Sequence, residues 1–428
     1  MSQLASIQSP CSVHGSEGHQ PGITDPVWPI DPPEGVDEKE YQYFAGRVAP
    51  QNFLTLVFAD TTATTQEELR QVLHGLSDLA REEMARRPDT VGVPPQVAAR
   101  LPESYRVTVT IGFGASLFLT ADGDDRFGIR HKKPKSLKFM PSFPGADAEE
   151  FQPMEHATDV VVQICSDHPY VNTHIAKDLH KYKFGSGLKI RRIEHGFSRQ
   201  DTRESLQFDD GISNLRCWPE NNMDRLAYVG LSDNDLDWCV GGSYFVYRKM
   251  VENLPDWEAI PDEQQSQMIG REKSSGKPLS RATTCPSYDP KCEDFDKFPV
   301  YPDPTDSKDG RIDGHMRKNQ PRRPTPDLFG VDDLDRTFLR RPYPFFDGVG
   351  VDGRPLVGLH FVAYMRSILE QFEHVTQMWQ TNPDFPVPGT GMDVLFAKRI
   401  IEATSGGYYF CPPAPKVDEK FLGEAIFS

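Results

Sequence analysis

The sequence predicts an α+β fold made of two ferredoxin-like units, and three observations carry that expectation. Short β-rich runs and helical periodicity follow one another in the order β, α, β, β, α, β between Phe53 and Ile193. A similar set of elements returns between Gly241 and Cys411, although the two halves share little sequence. The length of 428 residues exceeds one ordinary core, and 37% hydrophobic with 11% aromatic residues is enough material for more than one.

Residues 1–51, rich in Pro, Gly, Ser and acids, read as an irregular arm laid onto the body through Trp28 and the aromatics of 41–44. The N-terminal unit is expected over 52–205. Its first strand, Phe53 to Asp60, is β-rich and ends in a Thr-rich turn. Over Gln66 to Arg86 the residues Leu69, Val72, Leu73, Leu76, Leu79 and Ala80 fall on one helical face. Val107 to Phe118 returns as a strand running into Gly-rich turns, Val160 to Cys165 is a short buried strand, and a helix (171–182) and a strand (188–193) complete the unit. The C-terminal unit is expected over 206–428: a strand at Gly241 to Arg248, a helix at Asp256 to Ile269, strands at Phe338 to Phe346 and Val357 to Tyr364, a helix at Ser367 to Trp379, and a last strand at Gly406 to Cys411. A Pro-, Asp- and Lys-rich stretch, 277–314, reads as a long surface loop. Two such units offer sheets that can pack face to face and leave a cofactor cavity.

Charge limits the partners. Lys plus Arg number 47 against 63 Asp plus Glu, a formal net charge of -16. Such a surface repels phosphate backbones and anionic lipid, so neither nucleic acid nor membrane is an expected partner. No apolar run approaches the ~18 to 20 residues that span a bilayer. The first residues, MSQLASIQSPCSVHGSEGHQ, lack a charged n-region and an apolar h-region, and the expected compartment is the cytoplasm. The seven cysteines contain no C-x-x-C pair, which argues against a zinc ribbon, a redox dithiol and covalently attached haem. Cys285 and Cys292 are expected to be free loop thiols.

Two stretches carry chemistry. Gly314 to Phe345 opens with His315 in a cationic cluster with Arg317 and Lys318, and closes with Arg340-Arg341 running into an aromatic strand. A neutral imidazole binds a metal or haem iron, and a fixed guanidinium steadies a developing negative charge, so the two ends supply two faces of a redox site. Alone, such a histidine is more often an ordinary surface or core residue. The second stretch, Glu204 to Asn214, places a carboxylate before Gly and small polar residues, which lets backbone approach a ligand; alone it reads as an Asp-Gly turn.

Taken together these residues resemble a known family. Phe208-Asp-Asp-Gly-Ile-Ser-Asn214 resembles the Gly-Phe-x-Asp-Gly signature of the dye-decolourising peroxidases, His315-Met-Arg-Lys-Asn-Gln-Pro-Arg322 their proximal histidine motif, and Leu339-Arg-Arg-Pro-Tyr-Pro-Phe345 their distal arginine segment. Further counterparts occur in the same order: His19 to Ile23, Ile111 to Phe118, Gly270 to Leu279, Gly358 to Phe361 and Phe421 to Glu424. The pattern is most similar to the deferrochelatase-like branch. The resemblance implies non-covalent haem b between two ferredoxin-like halves, with His315 as the iron ligand and Asp210 and Arg340 on the distal side. It implies Leu359 and Phe361 as the apolar pair shaping the peroxide pocket, with His360 on the other face of the strand by alternation. Arg317 and Ser213 are the implied propionate contacts, and Asp393 the carboxylate holding the proximal imidazole. Three positions depart from the family pattern: Gln207 for a glycine, Gln320 for an asparagine, and Pro342 for a glycine.

The chemistry implied is peroxidase turnover, with hydrogen peroxide as oxidant and dyes, phenols or other bulky organic compounds as reductants. Asp210 would move the proton between peroxide oxygens and Arg340 would steady charge as the O–O bond breaks, giving an acidic pH optimum. Electrons would arrive through surface aromatics, with Trp379, Trp257 and Tyr408 as candidates beside the plainer reading of each as packing. A haem carrier using His315 alone, and an enzyme of iron release or biosynthetic oxidation, are the rival readings. Homo-oligomerisation is left open.

Overall fold

The computed structural model describes residues 18–29, 31–37, 41, 45–88, 93–181, 187–199, 201–217, 223–233, 235–279, 301, 303–321, 323 and 325–428. Cys285 and Cys292, and most of the loop expected at 277–314, lie outside the described residues. Cys165, Cys239 and Cys411 are buried free thiols.

The N-terminal unit comprises β1 (Phe53–Thr61), α1 (Gln66–Ala85), β2 (Thr108–Gly114), β3 (Val160–Ser166), α2 (Pro169–Lys181) and β4 (Leu188–Phe197). Thr65 starts α1 by accepting the Glu68 N–H at 3.2 Å, and the Glu68 carboxylate reaches back to the Thr64 N–H at 2.7 Å. Two of the backbone donors at the start of that helix are thereby satisfied locally. The predicted stripe from Leu69 to Ala80 is buried against the sheet. Val107 to Phe118, expected as one run, divides into β2 and a single helical turn, Ala115–Phe118.

The C-terminal unit comprises β5 (Ser243–Glu252), α3 (Leu254–Glu258), α4 (Asp262–Ile269), α5 (His315–Asn319), β6 (Leu339–Arg340), β7 (Tyr343–Val349), β8 (Pro355–Met365), a π-helix (Ile368–Gln380) and β9 (Ile401–Cys411). The helix expected at Asp256 to Ile269 is two helices, because Pro261 holds an extended ψ of 142° at the junction. The strand expected at Phe338 to Phe346 is likewise two, β6 and β7, separated by Arg341-Pro342. Gly358 in β8 is required: a Cβ there would lie 2.0 Å from the Met250 carbonyl oxygen.

Every pairing between the named strands is antiparallel, and each half repeats one strand order: β4-β1-β3-β2 in the first, β9-β5-β8 with β6 and β7 beside β8 in the second. The halves meet edge to edge, β2 on β9 through Phe113 opposite Phe410 and Gly114 opposite Tyr409, to make one nine-stranded sheet. The two ends of the sheet also approach: the His360 ring nitrogen Nε2 of β8, the strand that carries the β6 and β7 edge, lies 3.0 Å from the His195 carbonyl oxygen of β4. The opposed inner faces are filled by Leu54, Leu56, Phe58, Phe245, Tyr247 and Tyr364. The expectation of a cofactor cavity between the two halves is therefore corrected: side chains occupy that space, and the cavity lies on the outer face of the C-terminal half. Among the described residues, no helix is long and apolar enough to cross a membrane.

Candidate active site

On the outer face of β5 and β8, residues 248, 250, 252, 359 and 361 point the same way by strand alternation and form the floor of a cavity. The atom-free space, with its open mouth, is about 1500 Å³. Most of the wall is apolar: Met250, Ile269, Phe338, Leu359, Phe361 and Phe372 contribute to it. Apart from Ala146, the lining residues all lie at or beyond Glu204.

His315 starts α5 and reaches into this cavity. Its Nδ1 donates to Asp393 Oδ2 at 2.7 Å, which leaves the Nε2 lone pair facing the cavity with no protein partner among the described residues. Asp393 is fully buried and is itself held: its Oδ1 accepts the Leu395 N–H at 3.0 Å, and its own N–H donates to the Gln380 carbonyl at 2.7 Å. Burial pushes the imidazole pKa down, but the Asp393 charge and hydrogen bond outweigh it, and the net direction is up. Asn319 adds a second tie: its amide donates to the His315 carbonyl at 2.6 Å and accepts from Gln380 Nε2 at 2.6 Å.

Asp210 and Arg340 face the same space. The Asp210 loop is bent by Gln207, which sits at a φ of 72°, the left-handed region that the family's glycine would adopt without strain. Asp210 Oδ1 accepts the Gly211 N–H at 2.7 Å and lies 3.6 Å from Arg340 Nη1. The Arg340 backbone is clamped by Asn214, whose amide donates to the Arg340 carbonyl at 2.7 Å and accepts its N–H at 3.1 Å. Arg340 Nη2 donates to the Ile212 carbonyl at 3.1 Å. Ser213 lines the cavity at a φ of 58°, and its Oγ accepts from Arg271 at 2.9 Å.

The structure thus gathers Asp210, Ser213, His315, Arg340, Leu359 and Phe361 around one cavity, with Asp393 directly behind His315, and turns His360 to the opposite face. It does not bring Arg317 there. That guanidinium stacks 3.3 Å from the Tyr301 ring centre and donates to the carbonyls of Pro304 and Pro321, so the cationic cluster beside His315 faces away from the cavity. Lys318 is fully buried and donates to three carbonyls, of Asn382, Phe385 and Gly391, pinning the loop that follows the π-helix. Trp257, Trp379 and Tyr408, expected as surface aromatics, are all buried. Trp257 donates to the Leu206 carbonyl, Trp379 stacks on Phe385, and Tyr408 donates to Glu373.

Sequence reasoning passed over Asn214, Asn319 and the glutamates Glu204 and Glu252. Asn214 closes the Asp-Gly stretch, and its place in that motif was the signal available. Glu204 opens the same stretch and Asn319 stands four residues from His315, so they too lay inside the motifs, whereas Glu252 depends on partners distant in sequence.

Fold and site together define a largely apolar pocket onto which a carboxylate-backed imidazole and a carboxylate–guanidinium pair open. Models of the Dyp-type peroxidase family match residues 48–198 for the N-terminal part and 201–416 for the C-terminal part. The chain belongs to the Dyp-type peroxidase family, and so to the haem-dependent peroxidases, which hold haem without a covalent bond. It is 27% identical over 426 residues to a deferrochelatase of Yersinia pestis, covering 95% of this chain and 86% of the relative. A Shigella sonnei deferrochelatase is 26% identical over 416 residues, covering 92% and 88%. Among solved structures, ferric DtpA from Streptomyces lividans superposes with a TM-score of 0.70 at 25% identity, covering 99% of this chain and 98% of that one. A DyP-type peroxidase from Cellulomonas bogoriensis shares the fold, with a TM-score of 0.67 at 22% identity and coverage of 95% and 99%.

Proposed function

We propose that this chain binds haem b through His315 and uses hydrogen peroxide to oxidise bulky organic reductants such as dyes and phenols, with Asp210 and Arg340 acting on the peroxide. One observation supports the reading above the rest: the His315–Asp393 pair and the Asp210–Arg340 pair open onto one apolar cavity. The residues fit the group. The wall of the cavity is largely apolar, and the unpartnered imidazole nitrogen of His315 that opens onto it is the donor that haem iron takes. Haem bound there would supply the iron at which peroxide is activated.

The chain's own residues do the rest. Asp393 holds His315 in the tautomer that offers Nε2 and keeps the ring electron-rich. The second carboxylate oxygen of Asp210 has no partner among the described residues, and it takes the proton of the incoming peroxide and returns it to the leaving oxygen. Arg340, fixed by Asn214, steadies the negative charge that grows as the O–O bond breaks. Leu359 and Phe361 restrict the space to a small oxidant, so large reductants act from outside. Ser213, backed by Arg271, is the propionate contact in this reading, while Arg317 holds the 301–321 segment.

The test is an absorption spectrum of haem-supplemented protein, followed by one addition of peroxide. A Soret band that shifts in wild type, persists without reacting in Arg340→Leu and is missing in His315→Ala is the expected result. An acidic optimum is expected with it, and a rate profile peaking above neutrality counts against Asp210 as the base. The similarity to deferrochelatases favours iron release as the second reading. It predicts iron-free porphyrin fluorescence in the product and a Soret band that peroxide only bleaches.

A further inference from the structure

Two glutamates, half-buried Glu204 and buried Glu252, line the cavity with Asp210 and have no part in the steps described so far. Glu252, the last residue of β5, is 4% exposed, and its Oε2 is buried without a hydrogen-bond partner. Glu204 opens the Asp210 loop, and its carboxylate accepts the N–H groups of Leu206 at 2.7 Å and Phe208 at 3.0 Å. The cations on the cavity wall are engaged elsewhere: Arg248 with Asp147, Arg336 with Asp327, and Arg340 with Asp210. Among the described residues neither glutamate has a salt-bridge partner. The polar groups that face Glu252 are Glu204, Ser205 and Asp210, with Asp209 and Arg340 also on the cavity wall.

Two neighbouring carboxyl groups without a counter-charge, in largely apolar surroundings, do not both ionise. Burial raises both glutamates above the ordinary carboxyl range; at Glu252 the charge of Glu204 adds to it, and at Glu204 burial outweighs the opposing N–H bonds from Leu206 and Phe208, with the Asp210 charge adding a little. The pair therefore keeps a proton at neutral pH that an unfolded chain would release.

Turnover needs such a proton. Hydrogen peroxide and two molecules of a one-electron phenolic reductant AH give two waters and two A radicals. One water carries away the two protons of the peroxide itself. The other takes the two protons released as the two AH molecules each lose an electron, and those protons are released outside the cavity. They must cross into it.

We propose that the Glu204–Glu252 pair is the proton relay of this site, passing its shared proton to Asp210 and taking a new one from the solvent side of the loop as each reductant is oxidised. Half-buried Ser205 and exposed Gln207 mark that solvent side. The relay rests on the peroxidase reading above, and both glutamates act through Asp210, not on the peroxide.

The experiment compares haem-loaded wild type, Glu252→Gln and Glu252→Asp by stopped flow, with infrared spectra and thermal unfolding of the same proteins. In Glu252→Gln, reaction with peroxide stays within about twofold of wild type, because Asp210 and Arg340 are intact. Recovery of the resting spectrum with excess phenol slows by about tenfold or more, with a larger solvent deuterium effect, and Glu252→Asp restores it. The carboxylic-acid C=O band of the wild type disappears in Glu252→Gln. Because the folded pair holds its proton above the ordinary carboxyl range, the stability it contributes is full in acid and falls as pH rises through the raised values; Glu252→Gln flattens that slope. Wild-type recovery kinetics together with an unchanged infrared band in Glu252→Gln overturn the relay. So does an equal slowing of both steps with a lowered Tm, which marks a merely structural pair. If wild type itself fails to react with peroxide, the peroxidase reading falls and the relay with it.

Discussion

The two halves of this molecule share a strand order and treat the outer face of their sheets in opposite ways. In the N-terminal half, Val109, Ile111, Val162 and Ile164 meet Leu69, Leu73 and Leu76 of the long helix α1 and the buried residues of α2, and the space is closed. In the C-terminal half the corresponding face presents Arg248, Met250, Glu252, Leu359 and Phe361 to a cavity. The cover there includes α5, five residues long, too short to lay a continuous ridge over the sheet. Polar anchors hold it: Lys318 on three carbonyls, and Asn319 on Gln380. One architecture thus closes over a packed core in one copy and leaves an open cavity in the other, according to what covers the sheet.

That contrast can be broken by mutation. The largest effect is expected on the chemistry of the C-terminal half: Arg340→Leu should lower the rate with peroxide by about 10²- to 10³-fold while leaving haem uptake and Tm near wild type. A fall in haem uptake instead would mean that Arg340 builds the cavity and does not serve in it. Next, Leu73→Ala in the N-terminal half should lower stability by about 3 kcal/mol, measured by denaturant unfolding, with no change in the Soret band or the peroxide rate. A spectral change would show the halves to be mechanically coupled across β2 and β9. Asp393→Asn, behind His315, should cost about 10- to 100-fold in haem affinity or activity, read by haem titration and stopped flow. The smallest effect concerns the loop: Gln207→Gly should relieve the positive φ and raise stability by about 1 kcal/mol, seen as a higher denaturant midpoint. A lowered midpoint would mean that Gln207 contributes contacts outweighing its backbone strain.

The elements that sequence reasoning placed best are those whose signal is local. The stripe in α1 and the short runs of β1 and β3 are periodic patterns that depend on nothing distant. The misplaced boundaries have local causes too, since Pro261 and Pro342 stood in plain view inside runs read as continuous. Arg317 is a different kind of miss. Its neighbourhood in the chain placed it beside His315, but on a one-turn helix, residues two apart point to different sides, and Arg317 turned to Tyr301.

The sequence by itself determined the order of elements, the repeated unit, the acidic surface, and His315, Asp210 and Arg340 as the residues worth watching, because each of these is written in composition, period or short motif. Only the tertiary structure decided that the halves join by β2 and β9, that the cavity opens on the outer face of one of them, and that Asp393 stands 78 residues along the chain yet 2.7 Å from His315. It also decided that Asn214 clamps Arg340 and that Glu252 arrives beside Glu204. The physical reason is that a local pattern specifies which face of an element is buried, whereas the partner met across that face is set by strand register and by the packing of loops over the sheet.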